Sequence, residues 1–258
     1  MKNRLKTMLH VDFRRMFTMP LLYIMVGACL VMPILILVMT TMMDGAVSVD
    51  PQTGAETVIE GFDSVWQVIG SVSTAEQAMS MDMTAMCNIN LLYFIVSVLV
   101  CLFVSEDFRA GFSKNLFTVR AKKSDYVISK TLVCFVGGAL MVLAFFVGSL
   151  AGGTIAGLPF EMVGFNVANL VMCVAAKSLL MAVFVPIFLI MAVIAKNKAW
   201  LSILLSLMVG MFLFMMIPML SPLDATLVHV LGCAAGGLLL SIGFGMISNL
   251  ILKKTSLG

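Results

Sequence analysis

The sequence predicts an all-α integral membrane protein, with six transmembrane helices, an N-terminal interfacial helix, and both termini in the cytoplasm. Three observations lead there. Of the 258 residues, 61% are apolar and 11% charged, and the mean hydropathy is +1.11, where a soluble domain is about half apolar and a quarter charged. The apolar residues gather into six runs, each long enough to cross roughly 30 Å of hydrocarbon as a helix that satisfies its own backbone. Finally, every Lys and Arg except Lys177 falls on one side of the alternation between runs and connections, which marks that side as cytoplasmic.

The N-terminal residues 1–18 carry Lys2, Arg4, Lys6, Arg14 and Arg15, while Leu5, Met8, Leu9, Phe13 and Met16 share one helical face that Asp12 interrupts. Such a helix either lies on the inner leaflet with its cations against anionic lipid, or serves only as a charged topogenic flank. The first span is 19–43. Its apolar sequence runs on to Met43, which makes it a retained span and not a cleaved signal. The outer connection, 44–84, holds seven acidic residues. Of these, Asp50, Glu56, Glu60 and Asp63 form a candidate acidic mouth for cationic compounds, against the plainer reading of a solvated loop. Within it Phe62, Val65, Trp66 and Ile69 repeat at helical spacing, which predicts a short interfacial or re-entrant helix with Trp66 at the headgroups.

The second span is 85–104 and the third 131–156. Between them, 105–130 is the longest cytoplasmic connection and carries six cations. Phe108, Phe112 and Leu116 stand four residues apart and would form one stripe of a short helix. An exposed apolar stripe needs cover from lipid or another protein, so this segment reads as a docking element. The fourth span, 167–195, contains Lys177, which either snorkels outward or lines a substrate path. The fifth and sixth spans are 199–220 and 227–252. Gly148-x3-Gly152 and Gly232-x3-Gly236 permit close helix approach, and Pro33, Pro186 and Pro218 can kink their spans.

Much chemistry is missing from the sequence. The basic residues sit in short clusters between apolar runs, unlike a nucleic-acid-binding face. There is no GxxxxGK[ST], HExxH or GxSxG motif, and His10 and His229 fall on opposite sides of the membrane. The six predicted spans carry no carboxylate, which argues against an intramembrane protease or a proton-coupled carrier. The six cysteines show no CxxC pattern and read as small packing residues.

The whole chain resembles an ABC-2 type permease, the membrane subunit of an ATP-binding-cassette transporter. The resemblance rests on the topology and on the 105–130 connection, where Glu106, Gly111, Leu116, Arg120 with Lys122, and Ser129-Lys130 follow the family's order. Phe112 stands where the family often has Thr. The resemblance implies a single permease domain over 1–258, whose coupling helix docks on a separate ATPase through Glu106, Phe108, Gly111, Phe112, Leu116, Arg120 and Lys122. It implies no cofactor in this chain, since ATP and magnesium would be bound by that ATPase. It also implies a second permease copy or paralogue, a bacterial plasma membrane, and export of drugs, lipids or peptides or immunity to lantibiotic-like peptides. The acidic outer connection points to a hydrophobic or cationic amphiphilic substrate. Two other classes compete: a non-transporting membrane sensor or assembly protein, and a channel or carrier that needs no ATPase.

Overall fold

The structure, a computed structural model, describes residues 2–49, 56–58, 61–72, 87–118, 122–214 and 217–254. Helix ends follow local chemistry. α1 (Lys2–Thr18) stops before Pro20, which opens α2 (Pro20–Met43) and holds Met19 extended at φ −82°, ψ 123°. A 3-10 turn, Ile89–Leu91, leads into α3 (Leu92–Arg109), and the Asn88 side chain caps it by accepting from the Asn90 N–H at 2.9 Å. Then follow α4 (Phe112–Thr118) and α5 (Lys123–Ala156), the latter closed by Gly157 at φ +71°. α6 (Val167–Ala195) opens on a reciprocal pair, Asn166 and Asn169, each side chain accepting from the other's backbone N–H. α7 (Ala199–Phe214) and α8 (Leu227–Lys254) are the remaining long helices among the described residues.

Among the described residues, five stretches have the length and composition to cross a membrane: Pro20–Met43, Ile89–Arg109, Lys123–Ala156, Val167–Ala195 and Leu227–Lys254. Within the predicted span 199–220 the structure describes α7, Ala199–Phe214, and helical residues again at Ile217–Leu220, while 215–216 lie outside the described residues. The connection expected over 105–130 is much shorter than its sequence suggested. α3 continues to Arg109 and carries Glu106 and Asp107, and α5 begins at Lys123.

α6 is the centre of the bundle, with α3, α5, α7 and α8 packed around it, and α2 lies along α5. The α2–α5 seam depends on the first small-residue motif. A Cβ on Gly148 would overlap the Leu30 carbonyl, and one on Gly152 would stand 2.8 Å from the Ile34 Cα. That motif therefore works within the subunit. Gly232 and Gly236 of α8 have no atom within 4 Å of a built Cβ and lie on an open face. α7 turns Ser202, Ser206 and Gly210 inward, and Ser206 Oγ meets Cys101 Sγ of α3 at 3.1 Å.

The end opposite the lysine-rich one is closed by chain. Val47–Val49 and Glu56–Val58 pair as a short antiparallel ribbon. Beyond it, 61–72 folds inward through a 3-10 turn, Val65–Val68, burying Phe62, Val65, Trp66, Val68 and Ile69. The Trp66 indole N–H donates to the Phe160 carbonyl at 3.1 Å, and the two rings meet edge-on. Trp66 is thus 5% exposed, with its one donor satisfied inside the fold. Gly153 makes room for Val65, and the Leu223 N–H donates to the Ser71 carbonyl at 2.9 Å, so the cap is tied to two further segments.

Candidate coupling site

The lysine-rich end brings three helices together around charge. Asp12 and Arg15, one turn apart on α1, face Asp107 near the end of α3 and Lys130 in the third turn of α5. Lys130 Nζ lies 2.9 Å from Asp12 Oδ1 and 2.7 Å from Asp107 Oδ2. Arg15 Nη1 lies 2.7 Å from Asp107 Oδ1 and 3.9 Å from Asp12 Oδ1. Ser129 Oγ donates to Asp12 Oδ2 at 2.6 Å, and Tyr126 Oη to Asp107 Oδ2 at 3.0 Å. All four carboxylate oxygens are engaged, and the two positive charges balance the two negative ones. Lys130 and Asp107 are 0% exposed and Asp12 is 1% exposed. Removing such ions from water costs several kcal/mol each, which only a closed set of partners offsets.

This network reaches the predicted docking element. α3 ends on Ala110, whose N–H returns to the Glu106 carbonyl at 2.8 Å, and Gly111 turns the chain at φ +69°. α4 starts there, with the Phe112 ring under the Arg15 guanidinium at 4.5 Å. Further along, the Phe117 ring meets Tyr126 edge-on at 5.5 Å and lies 5.6 Å from Lys123 Nζ. Ser113 is buried, and Leu116 and Phe117 pack against the core. α4 is therefore laid on the bundle by one face and pinned by cations at both ends.

Phe108, Phe112 and Leu116 do not form one stripe, because Gly111 breaks the helix; Phe108 belongs to α3 and the others to α4. Their apolar surface is half-buried by the chain itself, and the exposed positions nearby are Arg109, Ala110 and Asn115. Glu106 pairs with Arg109 at 2.8 Å on the surface, a contact worth little in water. Lys122 is the exposed N-cap of α5, and Arg120 lies outside the described residues. Asp12, Arg15, Asp107 and Tyr126 were not singled out for this site from sequence. Only Asp12 carried a signal, a lone charge within an apolar face, which demands a partner when buried.

Lys177 is buried beneath the opposite end at 1% exposure and does not snorkel to the surface. Its ammonium donates to Ser221 Oγ at 3.0 Å, and its carbonyl accepts from Tyr93 Oη at 2.9 Å. No carboxylate among the described residues pairs with it. Of the acidic mouth, Asp63 is exposed and bonded to Gln67. Glu56 is described only as a residue of the ribbon, and Asp50 and Glu60 lie outside the described residues.

Comparison with known proteins gives one family: the model described as ABC-2 family transporter protein matches residues 14–213. No curated protein and no solved structure matches the chain.

Proposed function

The chain belongs to the ABC-2 transporter family as a multi-pass membrane permease, and we propose that it exports a hydrophobic or cationic amphiphilic substrate, such as a peptide, antibiotic or lipid, using a separate ATPase subunit docked at α4. The observation that carries this reading is the seat of α4. This short helix touches α1 through Arg15 and α5 through Lys123 and Tyr126, and it follows directly on α3, so a displacement of it reaches all three. Movement of a partner against Arg109, Ala110 and Asn115 would be delivered through Phe112 and Phe117 to the buried charges, and from there to α1, α3 and α5. ATP and magnesium belong to the partner. A second permease copy or paralogue completes the transporter, in six-span form with both termini cytoplasmic, in a bacterial plasma membrane.

The acid-rich outer connection supports a cationic amphiphile, and we place Lys177 along the substrate route, under the cap that must open for release. The competing reading is a sensor or assembly protein whose α4 docks something else.

Affinity purification of the tagged chain in mild detergent, with mass spectrometry of what accompanies it, tests the proposal. A stoichiometric P-loop ATPase is the expected result. Arg109→Glu with Asn115→Arg should lower its recovery at least tenfold while membrane insertion is unchanged. A chain that purifies with no ATPase sinks the transport reading in favour of the sensor.

A further inference from the structure

A second polar feature lies at the lysine-rich end, apart from the buried charges. It is a cavity of about 290 Å³ between the first turn of α5 and the last turns of α8, lined by Lys122, Lys123, Ser124, Asn249 and Lys253. Three of these five side chains are cations. Lys122 and Lys253 are exposed and form no ion pair among the described residues. Asp125, in the same turn of α5, forms none with them either. Lys123 Nζ donates to the Leu252 carbonyl at 2.6 Å, which holds one wall of the cavity in place. Asn249 Oδ1 is buried without a partner; a flip of that amide would put its NH2 donors there instead.

This arrangement is costly as it stands. Like charges converge on one small space, and two of them sit at the positive end of a 34-residue helix, where the backbone dipole disfavours cations. An anion shared among them removes both penalties. The surroundings say which anion. One turn or two beyond the cavity, towards the apolar zone, α5 exposes Ile128 and Leu132 and α8 exposes Ile247 and Leu250. Cations above an exposed apolar strip match a molecule with a charged head and hydrocarbon tails. The volume suits a headgroup, being near the lower end, roughly 300 Å³, of small-molecule sites.

We propose that this cavity binds the phosphate of an anionic phospholipid headgroup from the leaflet at the lysine-rich end. It goes beyond the transport reading and uses it only to call that leaflet cytoplasmic. Because Lys123 also lies beside Phe117 of α4, the bound headgroup braces the seat of the docking helix.

The test uses the full chain in a neutral detergent, with phosphatidylglycerol or phosphatidylcholine added and bound lipid counted by native mass spectrometry. Lys122→Gln with Lys253→Gln removes two cations that make no described side-chain contact. Each lysine that meets the headgroup is worth about fivefold in anionic-lipid affinity, so this variant should bind phosphatidylglycerol about 25-fold more weakly. Lys198→Gln, an exposed cation outside the cavity, should leave binding within about twofold. Equal losses in both variants, or equal retention of the two lipids by the wild type, overturn the site. Inorganic phosphate at millimolar concentration should not displace the lipid. If phosphate instead binds at these lysines and lipid does not, the anion site stands and the lipid is overturned as its source.

Discussion

Asp107 shows how much rests on single atoms. Its carboxylate touches Arg15, Lys130 and Tyr126 at once, with no exposure to water. Asp107→Asn keeps the shape but leaves Arg15 and Lys130 short of one negative charge. Breaking a buried pair this way typically costs about 3–5 kcal/mol. The expected outcome is a fall in melting temperature of the purified chain well beyond that of Glu106→Gln, whose partner Arg109 is exposed. Equal shifts for the two would mean that the network carries no stability. These residues were hard to read from sequence. Asp12 looked like a flaw in an amphipathic face and Asp107 like the start of a loop. Their meaning lies in Lys130, 118 residues from Asp12, and no local window spans that distance. The Ser129-Lys130 pair was visible as a family feature, and its physical role is now clear: both side chains grip Asp12.

The helices were legible wherever lipid dictates composition. α2, α6 and α8 begin and end within two residues of the predicted runs 19–43, 167–195 and 227–252. The errors cluster where a helix continues past its apolar stretch. Hydropathy stops at the first charged residue, yet α3 and α5 carry on through Asp107 and back to Lys123, because tertiary partners neutralise the charges inside them. The two glycine motifs were indistinguishable in sequence and differ in structure. Gly148→Ala should destabilise the α2–α5 seam by about 2 kcal/mol, because the new Cβ meets backbone that cannot give way. Gly232→Ala meets nothing and should gain about 0.5–1 kcal/mol from helix propensity alone. Thermal unfolding of both variants in detergent checks the contrast, and a loss at Gly232 as large as that at Gly148 would contradict it.

For the molecule as a whole, the cysteines offer a direct reading of topology. Cys29, Cys101, Cys134, Cys173 and Cys233 are buried, and Cys87 alone is half-exposed, next to α3 at the end away from the lysines. A membrane-impermeant maleimide applied to intact cells should therefore add one label per chain, and Cys87→Ser should abolish it. Labelling that requires permeabilised cells would reverse the proposed orientation. The overall class was readable from composition and the Lys/Arg asymmetry, since both are imposed by the bilayer. The inward-folded cap was only half readable. Phe62, Val65, Trp66 and Ile69 predicted a short interfacial or re-entrant helix; the 3-10 turn they form instead is anchored on Pro159 and Phe160, and Phe160 lies 94 residues beyond Trp66.

The charge cluster also sets a clock for biogenesis. Asp12 and Arg15 leave the ribosome among the first residues, but Lys130 follows only after the first two spans have been made. At about 5–20 residues per second, that interval lasts roughly 6–24 s. Until it ends, Asp12 has only Arg15 of its own helix, 3.9 Å away and partly exposed, and lacks the buried ammonium and the Ser129 hydroxyl that complete its partners. Docking of the first helix is therefore expected to be completed only when the third span arrives with Lys130 and Ser129.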